Sequence, residues 1–255
     1  MTFEAAAGQV LSGLSVGMVL FLIAAGLSII FGTLKVLNLA HGSIFMTGSF
    51  LCFGLTSLLA HVPGAFWWTL LLAPIAVALL GRLLEVFLLR RIYDQEMLYQ
   101  YILTFALILI LGEACKFFFG VGYHTVAVPW PVNGKVSIWG LSFPVYNLFL
   151  IFCGFGVFLG LSALMRLTSL GRIVRAVTFN REMPNALGIN VPRVYTGVFM
   201  LGSYLAGLAG TLMPPMSVVA LGSDMAVIIE CFIIVVIGVW VVCPELSWGQ
   251  SYWDC

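Results

Sequence analysis

Charged side chains are scarce in this sequence. They make up 8% of its residues, whereas apolar side chains make up 62%. Soluble domains carry about 25% charged residues on average, and those groups cover the surface that faces water. The composition and the mean hydropathy of +1.13 therefore exclude an ordinary soluble domain and place most of the chain in a lipid bilayer.

Cysteine and histidine patterns that bind metals are also missing. The six cysteines form no C-x-x-C pair and no cysteine–histidine cluster, so we predict neither a zinc site nor a disulfide framework. The three histidines, His41, His61 and His124, are too scattered along the chain for a metal site. We expect no bound metal, no cofactor and no nucleic-acid partner.

The phosphate-binding loop G-x-x-x-x-G-K-[ST] is absent as well. Gly134 and Lys135 follow in the right order, but Pro129 replaces the first glycine and Val136 follows the lysine. If ATP drives this protein, a separate chain must bind it. We expect the chain to contain no catalytic residue and not to be an enzyme.

Long apolar runs fill most of the chain. They recur at the length of roughly 20 residues that a helix needs to cross a hydrocarbon core of ~30 Å. They are continuous and lack the in/out alternation of a barrel strand, which favours helices. We predict an all-α, polytopic transmembrane bundle of about seven spans, at residues 10–31, 36–59, 66–81, 98–112, 145–165, 195–213 and 225–242.

Glycines at helical spacing predict where these spans pack closely. Two residues four positions apart lie on one helix face, and small side chains there let another helix approach. Three such sets occur in the predicted spans: Gly13 with Gly17, Gly156 with Gly160, and Gly202 with Ala206 and Gly210.

The basic residues predict the orientation of the spans. Alternating the spans across the bilayer puts nine of the eleven lysines and arginines on the side of the loop at residues 166–193, which satisfies the positive-inside rule. These nine are Lys35, Arg82, Arg90, Arg91, Arg166, Arg172, Arg175, Arg181 and Arg193. The N-terminus is then outside, and because Glu4 stands where a signal peptide would be basic, we expect the first span to be retained.

The polar island at residues 170–194 is the most informative segment. From residue 166 to residue 193 the chain carries five arginines and a single acid, which is too much charge for a simple connection between spans. Asn180 is suited to cap a short helix, Pro184 falls in the first turn, and Gly188 is suited to end the helix in a left-handed conformation. We predict a short helix along the membrane surface.

Polar residues also interrupt the second apolar run. Asn38 and His41 lie in a segment with Gly42 and Gly48, and polar groups in such segments usually face the bundle interior or a water-filled path. The glycines would allow a broken helix of the kind that transporters use near their sites. These four residues are candidates for a pathway or a hinge. An interfacial structural role is the alternative, because Lys35 is only about a turn away.

Two acidic residues are expected inside the spans. Glu113 is placed to pair with Lys116 one turn later. Glu230 lies in the middle of the last span and has no basic neighbour. It is therefore the more costly of the two acids to bury in lipid.

Two segments carry a resemblance to a known family. Residues 26–50, GLSIIFGTLKVLNLAHGSIFMTGSF, resemble the N-terminal signature of inner-membrane permeases of branched-chain amino acid ABC importers, and residues 170–194 resemble the coupling loop of that family. The resemblance implies that residues 1–238 are the permease domain and that the loop at 166–193 docks on an ATPase. The coupling residues it implies are Arg172, Arg175, Arg181, Glu182, Ala186, Gly188, Asn190 and Arg193.

The same resemblance implies a function and partners. The chain would pass Leu, Ile or Val from a periplasmic binding protein across the bacterial inner membrane. It would work with a second homologous permease subunit and with two cytoplasmic subunits that bind ATP. Transport of urea, short amides or other amino acids is the alternative within the family. A secondary transporter that acts alone is a rival from another class, for which we find neither coupling carboxylates nor an inverted repeat.

The resemblance ends at Gly238, where the family continues with a glycine-rich segment and further spans. Here residues 239–255 read VWVVCPELSWGQSYWDC. A reading frame displaced at Gly238 recovers the glycine-rich pattern. We interpret residues 239–255 as an out-of-frame tail that replaces the final spans, with the shift in the gene or in its sequencing. A non-functional, truncated remnant is therefore a further alternative.

Overall fold

The structure is a computed structural model that describes residues 3–93, 95–138, 141–180 and 182–242. Arg181 and residues 243–255 of the predicted tail lie outside this part of the chain. The helices are α1 Phe3–Leu34, α2 His41–Leu58, α3 Ala65–Phe87, a 3-10 helix Leu89–Ile92, α4 Met97–Phe119, α5 Val145–Leu167, α6 Ser169–Phe179, α7 Glu182–Ala186, α8 Val191–Leu212 and α9 Ser223–Val242. Strands β1 Lys135–Ile138 and β2 Leu141–Pro144 form an antiparallel hairpin.

Each of the seven predicted spans coincides with a helix, which confirms the all-α transmembrane bundle. Within the described residues, five helices are long and apolar enough to cross a membrane, and they lie at Gly8–Leu34, Ala65–Ile92, Met97–Phe119, Val145–Leu167 and Val191–Leu212. Helices α2 and α9 are not among the five. Helix α2 packs against α3, α4, α8 and α9, so much of its surface faces protein and need not be apolar.

Helix α8 lies at the centre of the bundle and packs against α1, α2 and α3. Its glycines allow this: a Cβ on Gly202 would lie 2.9 Å from the carbonyl oxygen of Gly26, and one on Gly207 would lie 2.7 Å from Val77. The close packing predicted for the set at Gly202 is therefore present. The other two predicted sets make no such contact among the described residues, because a Cβ on any of Gly13, Gly17, Gly156 or Gly160 would meet nothing there within 4 Å.

The second predicted span begins later than expected, because residues 35–40 are not helical. Lys35 has a positive φ of 56°, and the chain then runs back along α1 until the His41 ring reaches the carbonyl oxygen of Ile23. Ile23 lies eleven residues before the end of α1 at Leu34, roughly 17 Å at 1.5 Å per residue. Helix α2 therefore starts well inside the bundle.

Helix α9 also starts inside the bundle. Thr211, at the end of α8, lies beside Cys52 of α2, whereas Asp224, in the first turn of α9, lies beside Ser43. Cys52 and Ser43 are nine residues apart on α2, which corresponds to roughly 13 Å along the helix. Residues 213–222 therefore return the chain to the level at which α2 begins.

The buried acids are not the ones that the sequence suggested. The predicted pair of Glu113 and Lys116 forms, with 3.1 Å between its atoms, but both side chains are exposed on α4. Glu230 is exposed on α9. Glu85 and Asp224 are buried instead, at 0% and 6% exposure. A run of apolar residues does not tell which side of each helix the neighbouring helices will cover, so the burial of Glu85 and Asp224 was not predicted.

Candidate functional site: the coupling loop and the interior ends of two helices

Two helices, rather than one, form the polar loop between α5 and α8. The first, α6, begins at a cap in which the Thr168 hydroxyl accepts a hydrogen bond from the amide of Gly171 at 3.2 Å. It is amphipathic: Val177 is buried, whereas Arg172 and Arg175 are exposed. The Arg175 guanidinium also donates to the carbonyl of Met165 at the end of α5. Helix α6 thus presents a basic face away from the bundle.

The second helix, α7, has the ends that the sequence predicted. The Asn180 side chain accepts a hydrogen bond from the amide of Glu182 at 2.7 Å, and Pro184 is the third residue of the helix. After the helix, Gly188 adopts a positive φ of 80°. Asn190 then caps α8 by accepting a hydrogen bond from the amide of Arg193 at 3.2 Å.

The outer surface of this loop is unusual because it is both charged and apolar. Glu182 and Ala186 are exposed, and so are three large apolar side chains, Phe179 at 86%, Met183 at 70% and Leu187 at 78%. Exposed apolar groups that cluster within a polar surface often mark a contact with another protein. Arg181, the remaining predicted coupling residue, lies outside the described residues.

A cleft lies between the predicted coupling loop and the start of the segment that leads to α2. It has a volume of about 520 Å³ and lies between the end of α1, the end of α6 and the start of α7. Thr33 and Lys35 line one side of it, and Asn180 and Glu182 line the other. The cleft therefore places the start of α7 near the residues that precede α2.

A buried carboxylate that the sequence reasoning missed lies next to this loop. Glu85, near the end of α3, has a fully buried side chain and accepts hydrogen bonds from Arg90, Tyr93 and Thr196. The Thr196 hydroxyl donates at 2.7 Å, the Tyr93 hydroxyl at 3.1 Å and the Arg90 guanidinium at 3.2 and 3.3 Å. Burying a carboxylate is tolerable when it is paired and hydrogen-bonded in this way.

Burial raises the pKa of the Tyr93 hydroxyl above its usual value, and the negative charge and hydrogen bond of Glu85 raise it further. Tyr93 therefore stays protonated and donates to the carboxylate at neutral pH. The ring of Tyr93 also packs edge-on against Tyr195, with 5.6 Å between the ring centroids. These contacts join α3, the 3-10 helix and the first turns of α8 just beyond the coupling loop.

The predicted interior residues Asn38 and His41 come together at the start of α2, where both are fully buried. The Asn38 side-chain oxygen accepts from the amide of Ala40 at 3.1 Å. His41 Nε2 lies 3.2 Å from the carbonyl oxygen of Ile23; a carbonyl only accepts, so Nε2 is the donor. Asn38 Nδ2 and His41 Nδ1 have no hydrogen-bond partner among the described residues.

Gly42 and Gly48 do not break α2, which is continuous through both. Each instead allows a close contact. Gly42 lies against the backbone of Asp224 in α9, and a Cβ on Gly48 would lie 3.0 Å from Gly207 in α8. The interruption in the helical path is one segment earlier, at residues 35–40.

The starts of α2 and α9 are linked directly. The Ser43 hydroxyl donates to the Asp224 carboxylate at 2.6 Å, and Asp224 lies in the first turn of α9. A carboxylate at a helix N-terminus is stabilised by the helix dipole. The sequence gave no signal for this contact, because the two residues are 181 positions apart in the chain.

The sequence of this chain is similar to those of several named proteins. The family described as branched-chain amino acid transport system, permease component, matches residues 9–248. The high-affinity branched-chain amino acid transport system permease protein BraD of Pseudomonas aeruginosa is 27% identical over 213 residues, which cover 80% of this chain and 69% of BraD. The permease protein LivH of the corresponding Escherichia coli system is 26% identical over 215 residues, with the same two coverages.

The similarity extends to an archaeal sequence. A probable branched-chain amino acid transport permease protein LivH of Methanocaldococcus jannaschii is 27% identical over 222 residues, which cover 86% of this chain and 70% of that protein. No solved structure matches the chain significantly. Since the family match covers most of the chain and the bundle is that of a multi-pass membrane protein, the chain belongs to the family of permease components of branched-chain amino acid transport systems.

Proposed function

We propose that this chain forms half of the membrane path of an ATP-driven importer in the bacterial inner membrane. A periplasmic binding protein delivers Leu, Ile or Val, and a second homologous permease subunit completes the path. Two cytoplasmic subunits bind and hydrolyse ATP, so this chain needs no cofactor. The names of the relatives support the substrate class, and the coupling loop supports the ATPase partners.

The observation that carries this proposal is the exposed surface of α7. Its helix is short, capped at both ends and rich in exposed apolar groups, including Met183 and Leu187. Such a helix has little to stabilise it in isolation, and burying two large apolar side chains against a partner would stabilise both the helix and the complex. Glu182 and the arginines of α6 add charged contacts that fix the orientation.

Movement of α7 reaches the bundle by two routes. The first is the chain itself, which passes from Gly188 to the Asn190 cap and into the central helix α8. The Glu85 carboxylate then ties Thr196 of α8 to α3. The second route is the cleft that α7 shares with Lys35. A shift of the loop is therefore transmitted to the starts of both α8 and α2.

Asn38, His41, Gly42 and Gly48 serve as the pathway or hinge in this proposal. Their segment joins the loop side of the molecule to the interior contact between α2 and α9. Irregular backbone inside a membrane domain is stable only when it is buried in protein or lines an aqueous cavity. Buried polar atoms that lack a partner in the described part of the chain, such as His41 Nδ1, are costly in a static core, and a conformational change would let them find partners.

Uptake measurements test the function. The chain is expressed with its ATP-binding, binding-protein and second permease subunits in cells that lack other branched-chain uptake. We expect saturable uptake of labelled leucine that isoleucine and valine inhibit and that urea does not. An ATPase subunit that cannot hydrolyse ATP should abolish it. Uptake that survives this ATPase variant would indicate a secondary transporter, and inhibition by urea alone would indicate the alternative substrate.

A further inference from the structure

An amphiphilic groove lies on the outside of the bundle, where the coupling loop meets the membrane. It has a volume of about 350 Å³ and is formed by α5, α6 and α8. This volume is within the range of pockets that bind small molecules and is too small for a helix of another protein. Apart from Arg193, which is also a predicted coupling residue, the lining residues of this groove have no role in the coupling mechanism proposed above.

The groove has a cationic end and an apolar end. Arg193, Gly197 and Leu201 line it at four-residue spacing along one face of α8. Arg193 is in the first turn of α8, and Leu201 lies roughly 12 Å farther along the helix axis. By the predicted orientation, Arg193 is then at the cytoplasmic surface and Leu201 is inside the hydrocarbon layer.

The other two walls are apolar. Leu164 and Met165, in the last turns of α5, form one of them, and Leu170, Ile173 and Val174 of α6 form the other. Leu170 is 61% exposed, so α6 presents an open apolar edge beside the groove. An amphipathic helix of this kind, with arginines on its polar face, is typical of elements that lie in the lipid interface.

The cation of the groove is the Arg193 guanidinium. Among the described residues, no carboxylate lies within 4 Å of the Arg193 guanidinium and no hydrogen bond engages it. The exposed Arg172 and Arg175 on the adjoining helix make the surroundings more positive. The complementary ligand is an anion that carries a long apolar group.

We propose that the groove binds an anionic phospholipid of the inner leaflet, with part of one acyl chain between α5, α6 and α8 and its phosphate on Arg193. By the predicted orientation the groove faces the bilayer, so an acyl chain enters it directly from the surrounding lipid. Basic pockets between helices on the cytoplasmic side recognise anionic head groups. The bound lipid fills the space between the coupling loop and the central helix.

Native mass spectrometry of the full chain in detergent tests the site, with phosphatidylglycerol and phosphatidylcholine of identical acyl chains as probes. We expect one phosphatidylglycerol to be retained about fivefold more tightly than phosphatidylcholine, as one arginine near a lipid surface implies. Arg193→Gln should remove this preference and leave phosphatidylcholine binding unchanged. Arg82→Gln, an exposed arginine of α3 outside the groove, is the control and should keep the preference.

A second pair of variants tests the acyl chain. A Cβ on Gly197 or on Gly156 would meet nothing within 4 Å, so both positions accept a larger side chain, but only Gly197 lines the groove. Gly197→Phe should displace both lipids at least fivefold, and Gly156→Phe should displace neither. Unchanged lipid binding in Gly197→Phe, or a preference that survives in Arg193→Gln, overturns the proposal. If Gly197→Phe aggregates, the lipid preferences of Arg193→Gln and Arg82→Gln test the proposal on their own.

Discussion

The Glu85 carboxylate and the Thr196 hydroxyl lie 2.7 Å apart, in a hydrogen bond that joins the end of α3 to the second turn of α8. The two residues are 111 positions apart in the chain, and neither stands out in the sequence. Because Glu85 has no exposure to solvent, each donor that it loses leaves a buried charge less well solvated. We therefore expect the contact to matter for stability, and the proposed coupling route runs through it.

Thr196→Val should lower the apparent unfolding midpoint in detergent, with a loss of about 1–3 kcal/mol for a buried acceptor that loses a donor. Thr178→Val is the matched control. Within the described part of the chain, the Thr178 hydroxyl bonds only to the Val174 carbonyl of its own helix, so its loss should cost less. Equal midpoints for the two variants would show that the contact with Glu85 contributes nothing to stability.

The raised pKa of Tyr93 predicts a dependence on pH. A hydroxyl that ionises at higher pH in the folded than in the unfolded state stabilises the fold fully below its unfolded pKa of about 10 and loses this contribution as pH rises further. The gap in melting temperature between the wild type and Tyr93→Phe should be constant up to about pH 9 and should narrow above pH 10. A difference in melting temperature that widens above pH 10 would contradict a raised pKa of Tyr93.

The end of α7 gives the clearest test of coupling. Gly188 has a φ of 80°, which glycine adopts freely, asparagine tolerates and a β-branched residue does not. We expect Gly188→Val and Glu182→Ala to abolish uptake without preventing membrane insertion, and Gly188→Asn to retain most of it. The measurements are leucine uptake and membrane fractionation. Normal uptake by Gly188→Val and Glu182→Ala would remove α7 from the coupling route.

The predicted orientation is tested by labelling single cysteines in a cysteine-free background. A cysteine at Arg175 should react with a membrane-impermeant reagent only after the membrane is opened, whereas a cysteine at Asn133 should react in intact spheroplasts. Both positions are exposed in the fold, so access depends on the side of the membrane alone. The reverse pattern would invert the topology and place the coupling loop away from the ATPase.

The contact between α2 and α9 predicts a steric effect at Gly42. A Cβ there would approach the Asp224 backbone and lie 3.0 Å from Ile228, so Gly42→Ala must push the two helices apart. We expect lower uptake and a stability loss of about 1–3 kcal/mol from overpacking. Gly32→Ala, on α1 with nothing within 4 Å of its Cβ, should behave as the wild type. Equal behaviour of the two variants would show that the contact is not needed.

The ends of α7 in the candidate site could be predicted from the sequence because contacts between neighbouring residues determine them. The Asn180 cap and the positive φ at Gly188 depend on residues within one turn, so the sequence predicted the ends of α7. Helix α6 was not predicted as a separate helix, although the Thr168 cap at its start is equally local. The partners of Glu85 were beyond reach for another reason: Thr196 is distant in the chain and nothing in either segment encodes their meeting.

The sequence by itself determined that the chain is an all-α membrane bundle, approximately where its spans lie and which loop is polar. The length of an apolar run and the capping of a helix depend on neighbouring residues, so both can be predicted without a structure. Only the tertiary structure decided that α2 and α9 begin inside the bundle and that Glu85 and Asp224, rather than Glu113 and Glu230, are buried. Burial depends on which helix faces meet, and that is fixed by packing between segments far apart in the chain.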